Sequence, residues 1–254
     1  CDKLFPVADI MYFNRFEGVF RAVSSGMCEY GILPIENSSA GSVTEVYDLM
    51  KQYNFHIVRS IKLKVEHCLL SKDATQLKNI TEIYSHEQAI NQCSEFLKAH
   101  PDIKVTVYPN TAAAARMVAE SERTDIAAIS SRSCAELYGL SLLSENIQDS
   151  DHNYTRFICI SRNLEIYPGA DRMSVMLSLP HLPGSLYQLI ARFASLGLNL
   201  IKLESRPIPG KDFEFRFYLD AEASIYSDDT LDLIASLDRD MESFSFLGSY
   251  SEVF

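Results

Sequence analysis

Tyr30-Gly31-Ile32-Leu33-Pro34-Ile35-Glu36-Asn37-Ser38-Ser39-Ala40-Gly41 passes from an apolar run into a polar turn. Residues 29–35 read as a buried strand, and Pro34, which has no N–H to give to a ladder, predicts that pairing stops there. Beyond the turn, Ser42 and Glu45 have the spacing of a capping box. Val46, Leu49, Met50 and Tyr53 then recur at helical spacing. The polar turn is therefore expected at the end of a strand and the start of a helix. That is where open α/β sheets bind ligands and where free backbone N–H groups attract anions.

The construction repeats downstream. Ile83-Tyr84 leads into Ser85-His86-Glu87-Gln88, again spaced as a capping box, with a helix expected to about Ala99. Val105 to Tyr108 leads through Pro109-Asn110-Thr111 into an Ala-rich helix, Ala112 to Glu120, and Ile126 to Ile129 is a further short strand. Upstream, Phe16, Val19, Phe20 and Val23 mark a helix over 16–24, and Cys1 to Phe5 reads as the end of a helix already under way. Strand, hydroxyl cap and helix in succession predict a mostly parallel α/β fold. Taken singly, each capping hydroxyl is simply a cap; several at consecutive strand ends have the means to line one cleft.

After a linker at Tyr167-Pro168-Gly169-Ala170 the pattern changes. Strands are expected over 172–179, 199–207, 213–220 and 243–253. A turn at Ile208-Pro209-Gly210-Lys211 joins the middle two. Helices follow Gly184, with Leu186, Leu189, Ile190 and Phe193 inward, and span 230–237. This β-α-β-β-α-β order is the ferredoxin-like unit.

Composition bounds the function. The chain has 254 residues, 47% hydrophobic and 22% charged, with a net charge of −11. That balance argues against nucleic-acid and anionic-membrane partners. No apolar run reaches the length of a membrane span and no signal segment opens the chain, so a cytoplasmic protein is expected. The six cysteines form no CxxC pair or Cys/His cluster of metal spacing, which predicts free thiols and no metal. An anionic substrate would need positive charge concentrated locally.

Asp151-His152-Asn153-Tyr154-Thr155-Arg156-Phe157 precedes a strand-like Ile158-Cys159-Ile160. It reads as a loop delivering an amide, a hydroxyl and a guanidinium to a sheet edge. Arg156 has the planar fork that clamps a carboxylate, Thr155 a hydroxyl to donate, and Asn153 both a donor and an acceptor. On the residues alone, an ordinary polar loop with one surface Arg is the favoured reading.

Five blocks in order carry a resemblance over nearly the whole chain: Pro34-Ile35-Glu36-Asn37-Ser38; Ser85-His86 with Gln88-Ala89 and Gln92-Cys93; Ala135-Glu136-Leu137-Tyr138-Gly139-Leu140; Asn153 with Thr155-Arg156-Phe157; and Pro183-Gly184-Ser185-Leu186 with Asn199-Leu200 and Glu204-Ser205-Arg206-Pro207. The chain resembles prephenate dehydratase followed by an ACT regulatory domain. The resemblance implies an α/β catalytic domain over 1–166, two-lobed like type II periplasmic binding proteins, with the chain crossing between lobes near 64–69 and 150. It implies a ferredoxin-like ACT domain over 171–254. The family's Gly-rich opening segment has no counterpart before Cys1, so a truncated chain, or part of a longer one that also carries chorismate mutase, is expected. Ser185 stands where the ACT motif usually has Ala.

The implied reaction takes prephenate to phenylpyruvate, carbon dioxide and water in L-phenylalanine biosynthesis. Aromatisation drives it, so no cofactor is expected. Thr155, Arg156, Glu36, Asn37, Ser85 and Gln92 are the expected catalytic residues. Ser38, His86, Gln88, Thr111, Asn153 and Phe157 are expected to bind substrate. Thr155 would serve the departing hydroxyl, backed by Glu36 or His86, and Arg156 a substrate carboxylate. L-Phenylalanine as effector would meet Gly184, Ser185, Leu186, Asn199, Leu200, Glu204, Ser205 and Arg206. A homodimer or homotetramer is expected. Arogenate dehydratase and a non-catalytic amino-acid-sensing binding protein are the competing readings.

Overall fold

A computed structural model describes residues 1, 3–72, 75–208, 210–211 and 214–253. Contacts divide the chain into unit 1, Cys1–Leu63 with Thr155–Phe254, and unit 2, Lys64–Tyr154. The first pass through unit 1 forms α1 (Phe16–Ser25), β1 (Gly31–Asn37), β2 (Gly41–Ser42), α2 (Thr44–Tyr53) and β3 (His56–Lys64). Unit 2 follows with β4 (Cys68–Ser71), β5 (Glu82–Ser85), α3 (Glu87–Asn91), α4 (Ser94–Lys98), β6 (Lys104–Val107), α5 (Thr111–Glu120), β7 (Ile126–Ser130), α6 (Arg132–Tyr138) and β8 (Ser141–Ser144). The chain returns to unit 1 through β9 (Tyr154–Ser161). It then builds β10 (Arg172–Ser178), α7 (Ser185–Ser195), β11 (Asn199–Pro207), β12 (Phe215–Glu222), α8 (Asp228–Asp240), β13 (Ser243–Tyr250) and β14 (Glu252–Val253).

The helices follow their apolar stripes. Phe20 and Val23 of α1 are fully buried, and the helix stops where Gly26 takes a left-handed conformation. Val46 and Met50 of α2 are buried with them. Near the start of the chain the Leu4 and Phe5 N–H groups both donate to the Cys1 carbonyl, each over 2.9 Å.

The α/β sheets are mixed, not mostly parallel. In unit 2 the order is β6-β5-β7-β4-β8; β5 runs parallel to β6 and β7, while β4 is antiparallel to β7 and β8. In unit 1 the order is β14-β3-β9-β1-β2, and β1 is antiparallel to both β2 and β9. The returning strand β9 reverses the direction that a succession of strand–helix units would give.

Both capping boxes give way to other structure. The chain reverses at Gly41, with φ of 82°, so Ser42 lies in β2 and α2 starts after Val43 without a side-chain cap. Ser85 ends β5, and His86 caps α3 by accepting the Gln88 N–H at Nδ1 over 3.2 Å. The helix expected to run to Ala99 breaks at Gln92–Cys93 and restarts as α4. Asp149 supplies the new N-terminus with acceptors for the Ser94 and Glu95 N–H groups, each at 2.9 Å.

Within unit 1, β10 to β13 form an antiparallel sheet of order β11-β12-β10-β13, the ferredoxin-like arrangement, with Leu189 and Phe193 of α7 fully buried beside it. Ile190, expected inward, is 37% exposed. Of the strand expected over 213–220 and its turn, Phe213 and Pro209 lie outside the described residues, and β12 runs two residues past the expected end.

This domain and the α1–β3 segment share one hydrophobic cluster: Met176, Tyr218, Leu247 and Tyr250 pack with Phe20, Val46, Ile57 and Ile158. At Gly248, with φ of 145°, the backbones come so close that a Cβ would lie 2.1 Å from the Ile57 carbonyl oxygen. The strand expected over 243–253 breaks at Ser251, and its last two residues leave the ferredoxin-like sheet to pair with Ser60 and Ile61 of β3.

Candidate active site

The register between β1 and β9 places the first group of side chains. Leu33 faces Ile158 and Pro34 faces Phe157, but Glu36 then faces Arg156 and Asn37 faces Thr155. Pairing thus continues through Pro34. The register shifts there by one residue, a bulge at which a missing N–H is tolerated. Without it, Glu36 would face Thr155. With it, Asn37 Nδ2–H donates to Thr155 Oγ1 over 2.9 Å. The other end of the same amide accepts the N–H groups of Ser39 at 3.0 Å and Ala40 at 2.8 Å, which fixes its orientation and closes the turn containing Ser38.

Thr155 and Arg156 lie in a strand and not in the expected loop, so they point to opposite faces. Arg156 is buried, 6% exposed. Its Nη1–H groups donate to Glu36 Oε1 at 3.2 Å and Asp220 Oδ2 at 2.5 Å. Nη2–H donates to Tyr250 Oη at 2.6 Å and Nε–H to Ser60 Oγ at 3.2 Å, with Glu252 also within 3.2 Å of Nε. A guanidinium so engaged ties β9 to the ferredoxin-like sheet, whereas the sequence reading sets it against a substrate carboxylate. Phe157, also expected at the substrate, is half-buried against Leu4, Val58 and Ile61.

Glu36 sits on the Arg156 face. Lys202 Nζ, from β11, donates to its Oε2 over 2.5 Å and to Ser42 Oγ over 3.0 Å. Burial pushes the Glu36 carboxyl up, but the Lys202 ammonium and the Arg156 guanidinium outweigh burial and hold it below its ordinary value. Glu36 is thus held as an ionised tie to Lys202 and Arg156.

Unit 2 holds the second group. Ser85 is fully buried and donates to the Ile129 carbonyl over 2.7 Å, tying β5 to β7. His86 and Gln88 are exposed at the start of α3, Gln92 is half-buried at the helix break, and Thr111 opens α5 behind an Asn110 cap. Asn153 is buried, and its carbonyl accepts the Val65 N–H over 2.8 Å. His67, which sequence reasoning passed over, places Nε2 2.8 Å from Gln92 Oε1.

The residues expected around an effector divide in two. Gly184, with φ of 87°, precedes Ser185 and Leu186 at the start of α7, and Leu200 packs in the core beneath. Along β11, alternation turns Lys202, Glu204 and Arg206 one way and Ser205 the other. Glu204 Oε2 accepts from Ser42 Oγ over 2.8 Å, and Arg206 Nη2 lies 3.1 Å from Asp48 Oδ2. Asn199 Nδ2–H donates to Glu222 over 2.9 Å. Lys202 was not singled out from the sequence. The signal available was its phase: Lys202, Glu204 and Arg206 form an all-polar row on one face of an otherwise ordinary strand.

All six cysteines are free, and Cys68, Cys93, Cys134 and Cys159 are buried. Among the described residues no group of His, Cys, Asp and Glu side chains is placed to hold a metal ion, and no helix is long and apolar enough to cross a membrane.

A family model described as prephenate dehydratase matches residues 1–165. The chain is 34% identical over 261 residues to arogenate dehydratase/prephenate dehydratase 2, chloroplastic, of Arabidopsis thaliana, covering 98% of this chain and 68% of that one. Among solved structures it is similar to prephenate dehydratase in complex with L-Phe from Arthrobacter aurescens: 31% identity, TM-score 0.84, 94% of this chain and 80% of that one. It is also similar to GqqA, described as a novel type of quorum quenching acylase: 29% identity, TM-score 0.89, 100% of this chain and 93% of that one.

Proposed function

The chain belongs to the prephenate dehydratase family, and from that premise we propose that it converts prephenate to phenylpyruvate under feedback control by L-phenylalanine. The observation that carries the reading is the Asn37–Thr155 hydrogen bond. Asn37 donates to the Thr155 oxygen, so the threonine proton stays available for another acceptor. Hydrogen bonding by Asn37 also stabilises negative charge on that oxygen. We assign Thr155 as proton donor to the ring hydroxyl. As that C–O bond breaks and water leaves, the pair from the C–CO2 bond enters the ring, releasing carbon dioxide and completing the aromatic system, and Thr155 regains its proton from solvent water.

With Arg156 engaged internally, the substrate's carboxylates need other donors. Gln88, Gln92 and Thr111 are assigned to that role by family resemblance, which also assigns Ser38 to substrate binding. His86, whose Nδ1 accepts the Gln88 N–H, presents Nε2–H as a hydrogen-bond donor. L-Phenylalanine is assigned to the region of Gly184 and the start of β11 in the ferredoxin-like, ACT-type domain. Ile201 and Leu203, 37% and 43% exposed on edge strand β11, support a homodimer or homotetramer.

Purified protein incubated with prephenate should generate phenylpyruvate, read by its absorbance in alkali. Absence of turnover by folded protein overturns the proposal. Similarity to a plant enzyme named for both substrates supports arogenate as a second substrate, tested by comparing kcat/KM for the two. Similarity to GqqA supports trying a chromogenic N-acyl amide in parallel; hydrolysis without prephenate turnover would replace the dehydratase reading with an acylase.

A further inference from the structure

We propose that His67 is a positioning residue whose task is to set which end of the Gln92 amide faces the substrate. The inference rests on the reading in which Gln92 contacts prephenate. A primary amide has an accepting oxygen and a donating nitrogen of nearly the same shape, so an untethered glutamine can present either. Toward a dianion the two are not equivalent. The NH2 end binds a carboxylate; the oxygen end repels it.

His67, in the tautomer that carries its proton on Nε2, removes that ambiguity. With Gln92 Oε1 2.8 Å from His67 Nε2, the contact requires that tautomer, because an amide oxygen can only accept; the imidazole N–H then donates to the oxygen and the NH2 end is directed away from it. The ring is buried, 6% exposed, and its backbone is held on both sides: His67 N–H donates to Gln148 Oε1 over 2.9 Å, and the His67 carbonyl accepts the Ile147 N–H over 3.0 Å. The same short segment holds the other partner. Asp149 N–H donates to the Gln92 carbonyl over 2.7 Å, and its carboxylate caps α4 immediately beyond. Residues 147–149 thus fix the histidine and the glutamine against one another, and the helix break at Gln92 is what exposes its carbonyl to this strap.

The test compares two polar replacements. Gln places an amide NH2 near the position of imidazole Nε2, whereas Asn reaches only to that of Nδ1. His67→Gln should keep kcat within about threefold. His67→Asn should lower it about tenfold or more, the scale of a misplaced contact group, while melting close to His67→Gln. In a Gln92→Leu background, His67→Asn should cause no further loss, because the group it positions is gone. Equal losses for Asn and Gln, losses that follow melting temperature, or multiplicative losses in the double variant overturn the positioning role and leave the Gln92 assignment standing. Wild-type turnover by Gln92→Leu removes that assignment and this inference together.

Discussion

Asn37 faces Thr155 because one extra residue in β1, beside Pro34, advances the register before the strand ends. Each residue therefore has a defined kinetic signature. Thr155→Ala should lower kcat by about 10²–10⁴-fold, the range for loss of a positioned proton-transfer group, with KM much less affected. Thr155→Ser should keep much of the rate. Asn37→Ala should also lower kcat, and the double variant should be little worse than Thr155→Ala alone. Steady-state assays on the four proteins check this; independent, multiplicative losses would show that the hydrogen bond is not the functional unit.

Arg156 should reveal itself in stability. Removing one member of a buried, hydrogen-bonded charge cluster leaves the others uncompensated and typically costs about 3–5 kcal/mol. Arg156→Ala should lower the denaturant midpoint sharply, and Arg156→Lys should lower it less, since an ammonium reaches fewer of the five partners. KM for prephenate in whatever folded protein remains should stay near wild type. A stable Arg156→Ala protein with a much raised KM would restore the substrate-clamp role.

Lys202 lies in β11 between the proposed effector residues and holds Glu36, the neighbour of Asn37. Lys202→Met should weaken the mutual antagonism of L-phenylalanine and prephenate, and by reciprocity should do so equally for both ligands. Calorimetric titration of each ligand in the presence and absence of the other measures it. An unchanged coupling factor in the variant would place the route elsewhere.

Acid sensitivity of unit 2 should centre on Glu82. Hydrogen bonds from Lys104, Thr106 and Arg123 hold its carboxyl at about 2, against an ordinary 4.5. A depressed folded-state pKa contributes stability that is full above the unfolded value and fades as pH falls through the folded one. The melting temperature of wild type should therefore exceed that of Glu82→Gln at neutral pH, and the gap should close between about pH 4.5 and 2. A gap independent of pH would assign the effect to packing.

Periodicity made much of the architecture readable in advance. The stripes in α1, α2 and α7, and the strand Asn199–Pro207, follow directly from spacing. Thr155 and Arg156 part company for an equally local reason: seven polar or aromatic residues in a row read as a loop, where neighbours can converge, but from Tyr154 onward they form a strand, where neighbours diverge. The capping boxes mislead because a hydroxyl three residues before a glutamate or glutamine fits a strand end as well as a helix start. Lys202 and His67 were invisible for another reason. Their partners Glu36 and Gln92 lie 166 and 25 residues away, and no local pattern records such a meeting.

The pairing of β14 with β3 bears on how the chain is made. Ser60 and Glu252, bonded through their side chains, are 192 residues apart, and central strand β9 of the same sheet also arrives late. Unit 2 is one continuous stretch, Lys64–Tyr154, so its sheet is complete in sequence once that stretch has been made. The opening segment of unit 1 must wait with its apolar helix faces uncovered, at about 5–20 residues per second of synthesis, until strands from beyond residue 154 reach it. Closing so long a loop is slow, so refolding should show an early phase from unit 2 and a later one for unit 1. During that interval the nascent chain is a substrate for chaperones, and loss of the last two paired residues should lengthen it.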